Sequence, residues 1–309
     1  MRIACQDTIF LNFEYAKNED VENHLWTAHT NLNNRYRKYL AIYRSGDQNR
    51  RVVERRKLEK HYVDFIKKSQ FFYKGYIQRL ASHFTGLEDL HRIAHSLQLS
   101  PLSVDDRVRV SPRVEHLIKM SCYTTLLRLG DLSRYRNQIR TKDRSWDSAL
   151  AYYGLANDLY PNSGNAHNQM AVIAFFDGGH LNGLYHLHRA IAVKEPAPLA
   201  RGNLETEYKK ITTTWEKDKE RGRSNKTDGE STLILWFVRL YAKFYKGAEF
   251  SSQDELENEV LGRLPLLVKE QGSEQTLSRF VLVNIAASYL AAERVKGSLT
   301  VCLLNNEKG

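Results

Sequence analysis

Apolar residues between Leu58 and Phe84 recur at steps of three, four or seven positions along the chain. Because a helix has about 3.6 residues per turn, this spacing places them on one stripe and predicts a long amphipathic helix. The residues of the stripe are Leu58, Tyr62, Phe65, Phe72, Tyr76, Leu80 and Phe84. A similar pattern from Leu25 to Leu40 predicts a second helix, which ends near residues 45–47.

The rest of the chain continues this helical pattern. Segment 99–112 holds two prolines and has no periodicity, which predicts a loop, and helical spacing resumes over 114–138. Beyond residue 200, the pattern predicts a helix over 201–215, a buried helix over 233–245 and a helix pair near 256–268 and 277–295. No run of alternating apolar and polar residues is long enough to predict a sheet, so the predicted fold is all-α.

A repeat of 34 residues occupies about 146–196. In each copy a small residue, a bulky residue and a second small residue precede a helix-ending proline, as in the second helix of a tetratricopeptide repeat. The first copy is Ala149, Tyr153, Ala156 and Pro161, and the second is Gly183, Leu187, Ala190 and Pro196, the last one position late. One such unit cannot bury its apolar face alone, so neighbouring helices are expected to stack on it.

Composition agrees with long helices. The 17 glycines and six prolines make up about 7% of the 309 residues, where an average protein carries roughly 12%. The three cysteines are Cys5, Cys122 and Cys302, and this number and spacing exclude a disulfide scaffold and a CxxC metal site. No apolar run reaches about 18 residues and the first residues are not a signal peptide, so we expect a soluble intracellular protein without a membrane partner.

Residues with catalytic spacing are absent from the sequence. It has no phosphate loop, nucleophile elbow, HExxH motif or dinucleotide fingerprint, so we expect neither an enzyme nor a cofactor. The densest histidine group is His180, His186 and His188. His186 and His188 would lie on opposite faces of a helix, which predicts surface or groove histidines rather than a metal site.

The stretch from Leu129 to Gln138 is the most specific in the chain. A glycine inside a helix costs about 1 kcal/mol relative to alanine, so Gly130 predicts a close contact that a side chain would block. Arg134 and Arg136 add positive charge to a helix patterned for burial. In a groove such a guanidinium can bind a phosphate through paired hydrogen bonds, whereas the structural alternative for Arg134 is a salt bridge to a neighbouring helix.

This stretch also resembles the ever-shorter-telomeres family, which includes telomerase-associated proteins and adaptors of nonsense-mediated mRNA decay. The similar segments are Leu-Gly-Asp-x-x-Arg-Tyr-Arg-Asn-Gln at 129–138, Ala-Leu-Ala-Tyr-Tyr-Gly-Leu-Ala at 149–156, Tyr-Pro-Asn-Ser-Gly at 160–164 and Asn-Gln-Met-Ala at 168–171. The resemblance implies a right-handed array of 14-3-3-like and tetratricopeptide helices followed by a helical hairpin extension. From this resemblance we expect a first domain over 1–205 and an extension over 206–309 with an exposed linker near 216–230.

The resemblance further implies a groove that binds phosphorylated Ser/Thr peptides, among them segments of the RNA helicase of nonsense-mediated decay. Gly-Asp-x-x-Arg-Tyr at 130–135 is similar to the phosphate-gripping helix of 14-3-3 proteins, which implies that Arg134 holds the phosphate and Tyr135 supports it. Asn168 falls where such proteins hold the peptide backbone. The chain departs from the family at Asn31, where a basic residue is expected, and Arg35 one turn later is the predicted substitute.

A basic run supports a different prediction. It consists of Arg50, Arg51, Arg55, Arg56 and Lys57, in a chain of net charge +10. The resemblance to the telomere members of the family implies binding of single-stranded DNA or RNA, which a basic surface of this kind would favour. Glu54 and Glu59 interleave with it, as on a solvated helix face.

The sequence therefore predicts a phosphopeptide-binding adaptor in RNA decay or telomere maintenance, in the nucleus or cytoplasm. A nucleic-acid-binding telomerase-associated factor and a purely structural scaffold remain the alternatives. Family members usually continue into further regions, so this chain is either a fragment or a truncated paralogue.

Overall fold

The computed structural model describes residues 1–45, 51–103, 107–139, 144–220, 229–246 and 253–306. The chain is 83% helical, which confirms the all-α prediction. Its helices form two compact units, Met1–Pro161 and Asn162–Gly309. Residue 205 lies inside a continuous helix of the second unit, and the domain division predicted there stays a prediction.

The first unit is built on two long helices, α4 and α6. Its elements are α1 Arg2–Leu11, α2 Phe13–Asn18, α3 Val21–Ser45, α4 Val52–His83, β1 Phe84–Thr85, α5 Glu88–Ser96, β2 Val108–Arg109, α6 Pro112–Ile139 and α7 Asp147–Leu159. The predicted stripe on α4 faces the core, but Ile66, Tyr73 and Ile77 are buried as well. Since α4 packs against α3, α5 and α6, it needs a wider apolar face than one stripe.

The predicted loop over 99–112 contains one element that the sequence did not indicate. Val108 and Arg109 pair in parallel with Phe84 and Thr85, directly after the end of α4. A two-residue strand is too short to show alternation, which explains why the pattern did not reveal it.

The second unit is a stack of helices around one apolar core. Its elements are α8 Asn165–Phe176, α9 His180–Ile191, α10 Ala200–Glu220, α11 Gly229–Lys246, α12 Gln253–Lys269 and α13 Glu274–Asn306. Helix α11 is largely buried, as predicted, with Leu233, Phe237 and Val238 among the core residues. The described parts of the predicted linker are helical, and residues 221–228 lie outside the described residues.

The small residues of the 34-residue repeat have the packing role predicted for them. Ala149, Ala156 and Ala190 are completely buried. A Cβ atom at Gly183 would lie 2.1 Å from the Phe175 ring, so α8 and α9 approach more closely than a larger residue would allow. Gly130 on α6 is likewise in contact with the ring of Tyr153 on α7, where an added Cβ atom would lie 2.3 Å from Cε1.

We expect Gly130→Ala to lower the free energy of unfolding by about 2 kcal/mol, because the buried Tyr153 ring must shift and this overpacking outweighs the gain in helix propensity. Chemical denaturation measures the loss. Gly154→Ala on α7 is the matched control, since a Cβ atom there meets nothing within 4 Å and should leave stability unchanged or slightly raised. Equal stability of both variants would contradict the close packing.

Candidate functional site

Helix α6 presents Asp131, Arg134 and Tyr135 next to the buried ring of Tyr153 on α7. The Arg134 side chain is 12% exposed, and its Nη2 donates to Asp131 Oδ1 over 2.9 Å. Arg134 Nε donates to the Tyr153 hydroxyl over 3.4 Å, and that hydroxyl donates to Asp131 Oδ1 over 2.7 Å. The guanidinium is therefore held in one orientation by two partners. The structural alternative, a salt bridge from Arg134 to a neighbouring helix, differs from what the structure shows, because the carboxylate belongs to α6 itself and α7 contributes the Tyr153 hydroxyl.

Electrostatics keeps Arg134 charged in this setting. Burial acts to lower the pKa of Arg134, but the Asp131 carboxylate and the neighbouring tyrosines outweigh it and raise the pKa above its usual value. Burial together with Asp131 raises the pKa of Tyr153 well above its usual value, so this hydroxyl keeps its proton. Asp131 and Arg134 form an ion pair, which contributes little net charge to the surface.

A second cation, Arg37 of α3, is part of the same cluster. Its guanidinium carbon lies 5.7 Å from the centre of the Tyr135 ring, and the Arg134 guanidinium carbon lies 4.8 Å from the same centre. Burial and the Asp131 carboxylate raise the pKa of Tyr135, although both cations act to lower it. In the described part of the chain Arg37 forms no ion pair, so its charge is the excess charge of the cluster.

Arg37 is not among the residues predicted from the sequence, and the prediction for Arg35 on the same helix stays a prediction. On α3 the buried residues Leu25, His29, Asn33 and Leu40 mark the inward line. Arg37 follows Asn33 by one turn and lies beside that line, whereas Arg35 is two residues from Asn33 and lies on the opposite side of the helix; both arginines are exposed. Asn31 is exposed on the same helix. The four-residue spacing from Leu25 was the signal that could have identified Arg37.

Asn168 lies on α8, in the second unit. Its side chain is 6% exposed, and its Oδ1 accepts a hydrogen bond from Asn203 Nδ2 over 2.9 Å. Asn203 is therefore the residue that orients the Asn168 amide.

The residues predicted for nucleic-acid binding are distributed around the first turns of α4. Arg51 immediately precedes the helix and is exposed, as are Arg56 and Lys57. Arg55 Nε lies 3.9 Å from Oε1 of Glu59, which is one helical turn later. Arg50 lies outside the described residues.

His188 is 2% exposed and lines a cavity with Tyr208, so of the predicted surface or groove positions it has a groove position. Its Nε2 lies 3.3 Å from the Tyr208 hydroxyl, while His186 Nδ1 lies 3.0 Å from His167 Nδ1. The amphipathic pattern hid these contacts, because a histidine in the apolar face of α9 is indistinguishable from one at its edge. Among the described residues no group of three His, Cys, Asp or Glu side chains is arranged to hold a metal.

Comparison with known protein families shows to which family the chain belongs. Residues 149–305, just over half of the chain, match the family model described as the Est1 DNA/RNA binding domain. The chain belongs to the Est1 family. A second Est1 family model, described as telomerase activating protein Est1, matches residues 20–140.

Individual relatives come from both branches of the Est1 family. The chain is 26% identical over 284 residues to nonsense-mediated mRNA decay factor SMG7 of Danio rerio, which covers 91% of this chain and 22% of that protein. It is 29% identical over 164 residues to telomere elongation protein est1 of Schizosaccharomyces pombe, 50% of this chain and 33% of that protein. The chain thus spans a fifth to a third of the length of these relatives.

Solved structures of the Est1 family share the fold. The crystal structure of Est1 and Cdc13 superposes with a TM-score of 0.68 at 13% identity, covering 94% of this chain and 59% of that chain. The structure of the C. elegans SMG5-SMG7 complex gives a TM-score of 0.58 at 16% identity, covering 93% and 68%. The 14-3-3-like and tetratricopeptide helical fold expected from the sequence is therefore confirmed. No helix in the described residues is long and apolar enough to span a membrane.

Proposed function

We propose that this Est1-family chain is a non-enzymatic adaptor that binds a phosphorylated Ser/Thr segment of a partner in nonsense-mediated decay or at telomeres. The observation that carries the proposal is the pair of guanidinium groups, Arg134 and Arg37, which both lie within 6 Å of the centre of the Tyr135 ring. The names of its relatives support the two processes, and the helicase of nonsense-mediated decay is the proposed partner in the first. Decay and telomere roles place the protein in the cytoplasm and the nucleus respectively.

Preorganisation supports phosphate binding at Arg134. Its guanidinium is already oriented by Asp131 and the Tyr153 hydroxyl, so little side-chain freedom is lost when a ligand binds. An Arg guanidinium presents five N–H donors in a planar fork, and these two partners use only two of its nitrogens. The remaining donors match a phosphate geometrically, and hydrogen bonds between ions are roughly twice as strong as neutral ones.

Arg37 supplies the net attraction for a doubly negative group. Because Asp131 neutralises Arg134, a phosphate approaching Arg134 alone would meet a carboxylate as well as a cation. Arg37 adds an uncompensated positive charge on the other helix. We therefore assign the attraction mainly to Arg37 and the orientation mainly to Arg134. The role of Asn168, which lies in the second unit and is positioned by Asn203, stays a prediction.

Phosphopeptide titration tests this assignment. A labelled segment of the decay helicase carrying phosphoserine should bind the chain at least about tenfold more tightly than its unphosphorylated twin, as expected for charge-assisted hydrogen bonds. Arg37→Gln and Arg134→Gln should each abolish most of this difference. Arg134→Lys should do the same in part, because an ammonium lacks the planar fork.

Arg35→Gln is the matched control, since it removes the same charge from α3 two residues before Arg37. If Arg37 is the phosphate contact, Arg35→Gln changes the affinity less than about twofold, because Arg35 lies on the opposite side of α3. The opposite order would return the role to Arg35. Equal affinity of the wild-type chain for both peptides would contradict phosphate recognition altogether.

A further inference from the structure

Helix α13 of the second unit has an exposed face without charge. Over residues 275–292 its one charged residue is Arg279. Arg279 donates to Asn182 Oδ1, and its guanidinium carbon lies 5.5 Å from the centre of the Tyr185 ring, so it belongs to the side of α13 that faces α9. The buried side of the helix consists of Phe280, Val283 and Leu290.

Large apolar side chains occupy the exposed face, where a solvated helix usually carries charges. Each of them is more than one third exposed, and they are Val281, Leu282, Ile285, Tyr289 and Val295. Together with the exposed small residues Ser278, Ser288 and Ala292 they form what we call the α13 seam. Positions 278, 282, 285, 289 and 292 alternate steps of four and three, which is the spacing at which two helices pack along their length. A contiguous exposed apolar surface of this kind marks an interaction site.

The order of residues along the seam is symmetric about Ile285. In an antiparallel pair of two α13 helices with a two-fold axis at Ile285, each residue lies opposite the residue that is equally distant on the other side of Ile285. Ser288 of one copy then faces Leu282 of the other, and Tyr289 faces Val281. A small residue therefore receives a large one, and the pair fills its interface without a steric conflict.

Charges at the two ends of the seam agree with the same register. Glu274 and Lys296 are exposed and lie at equal distances from Ile285, so the antiparallel pair places Glu274 of each copy opposite Lys296 of the other. In the single chain Lys296 Nζ lies 3.1 Å from Glu293 Oε1, in an ion pair whose side chains are 74% and 44% exposed. Such surface pairs contribute little to stability, so Lys296 can also interact with a second copy. A parallel pair would instead place like charges together at both ends.

We propose that the α13 seam pairs in antiparallel orientation with the seam of a second copy of this chain and forms a homodimer with its two-fold axis at Ile285. From 274 to 296 the paired segment is about 33 Å long. One helix pair of this length buries less than the roughly 800 Å² per partner of a standard interface, so we expect a reversible dimer with a dissociation constant of about 1 to 100 μM. The seam lies in the second unit and Arg37 and Arg134 lie in the first, so the inference does not depend on phosphopeptide binding.

Sedimentation equilibrium over a range of concentrations tests the proposal. From about 1 to 300 μM the average mass should rise from the 35.9 kDa of one chain toward twice that value. Ile285→Asp should weaken the dimer at least about tenfold, because the pair would bury two carboxylates at its centre. Leu261→Asp is the matched control, since Leu261 lies on α12 outside the seam and is 62% exposed, against 61% for Ile285. A wild-type chain that stays monomeric, or equal weakening by both variants, would overturn the proposal.

Charge reversal tests the register. Glu274→Lys and Lys296→Glu should each weaken the dimer about threefold or more, because each places like charges opposite one another at both ends. The chain with both substitutions should regain the wild-type affinity, since the opposite charges meet again with their signs exchanged. Failure of the combined variant to recover would overturn the antiparallel register.

Disulfide trapping distinguishes the antiparallel pair from a parallel one. In a chain with Cys5→Ser and Cys302→Ser, Ile285→Cys should form a covalent dimer under mild oxidation, because residues at the two-fold axis face each other. Ser278→Cys alone should remain monomeric on a denaturing gel, whereas Ser278→Cys combined with Ala292→Cys should be trapped. A covalent dimer of Ser278→Cys alone would indicate a parallel pair and contradict the proposal. Circular dichroism verifies that each variant is folded.

Discussion

Gly164→Ala should destabilise the second unit by roughly 3 to 5 kcal/mol, the largest effect expected from a single methyl group at the described glycines. A Cβ atom at Gly164 would lie 2.1 Å from the carbonyl oxygen of Ala190 and 2.8 Å from the amide nitrogen of Ala197. These two groups are hydrogen-bonded to each other over 3.0 Å. Because backbone atoms cannot rotate away as a side chain can, the added methyl must separate them or displace the start of α8.

Conformation is not the reason for glycine at this position. Gly164 has φ −77° and ψ −7°, which any residue adopts, so the whole effect comes from the close approach. Urea denaturation measures it, with Gly202→Ala as the control in the same unit, since a Cβ atom there meets nothing within 4 Å. A loss below about 1 kcal/mol in Gly164→Ala would mean that the two backbones are further apart in solution.

Acidification should destabilise the second unit strongly between about pH 6.5 and 4. Burial lowers the pKa of His167 and His188 to about 4 and that of His186 to about 3. An unfolded histidine titrates near 6.5, so below that value the unfolded chain binds more protons than the folded chain. The contribution of these neutral histidines to the free energy of unfolding is therefore fully present above pH 6.5. It is lost as the pH decreases toward their pKa values in the folded chain.

We expect the free energy of unfolding to fall by about 2 kcal/mol for each buried histidine between pH 7 and pH 5. Geometry supports it, because protonation of both His167 and His186 would place two donors 3.0 Å apart. Denaturation at both pH values measures the effect. Between these pH values His188→Gln should lose about 2 kcal/mol less unfolding free energy than the wild-type chain, since glutamine does not titrate. The control His95→Gln, at an exposed site, should show the same pH dependence as the wild type. The same pH dependence in His188→Gln and wild type would contradict the prediction.

The arrangement at Arg134 has a consequence for affinity. A free guanidinium would attract phosphate strongly, but Asp131 opposes an incoming anion at the same place. The proposed site therefore depends on Arg37, and its affinity should be more sensitive to charge on α3 than to charge on α6. This is why the Arg37 and Arg35 variants separate the possible assignments better than variants of Arg134 alone.

The long helices followed from sequence with little ambiguity. The stripe on α4 and the small residues of the 34-residue repeat are local features, and each predicted the face that is buried in the fold. Gly130 was predicted to make a close contact, but the sequence could not identify its partner, the Tyr153 ring, which is 23 residues away. Periodicity identifies a face, and only packing identifies what lies against it.

The sequence by itself determined the helical fold, the positions of the main helices and the residues of the Gly-Asp-x-x-Arg-Tyr segment, because helical spacing and chain-breaking residues act over a few neighbours. The tertiary structure alone decided that Arg37 lies over Tyr135 and that Lys67, Lys74 and Arg136 meet in one cavity. Those contacts join helices distant in sequence, and their geometry depends on how the helices pack, which no short pattern encodes.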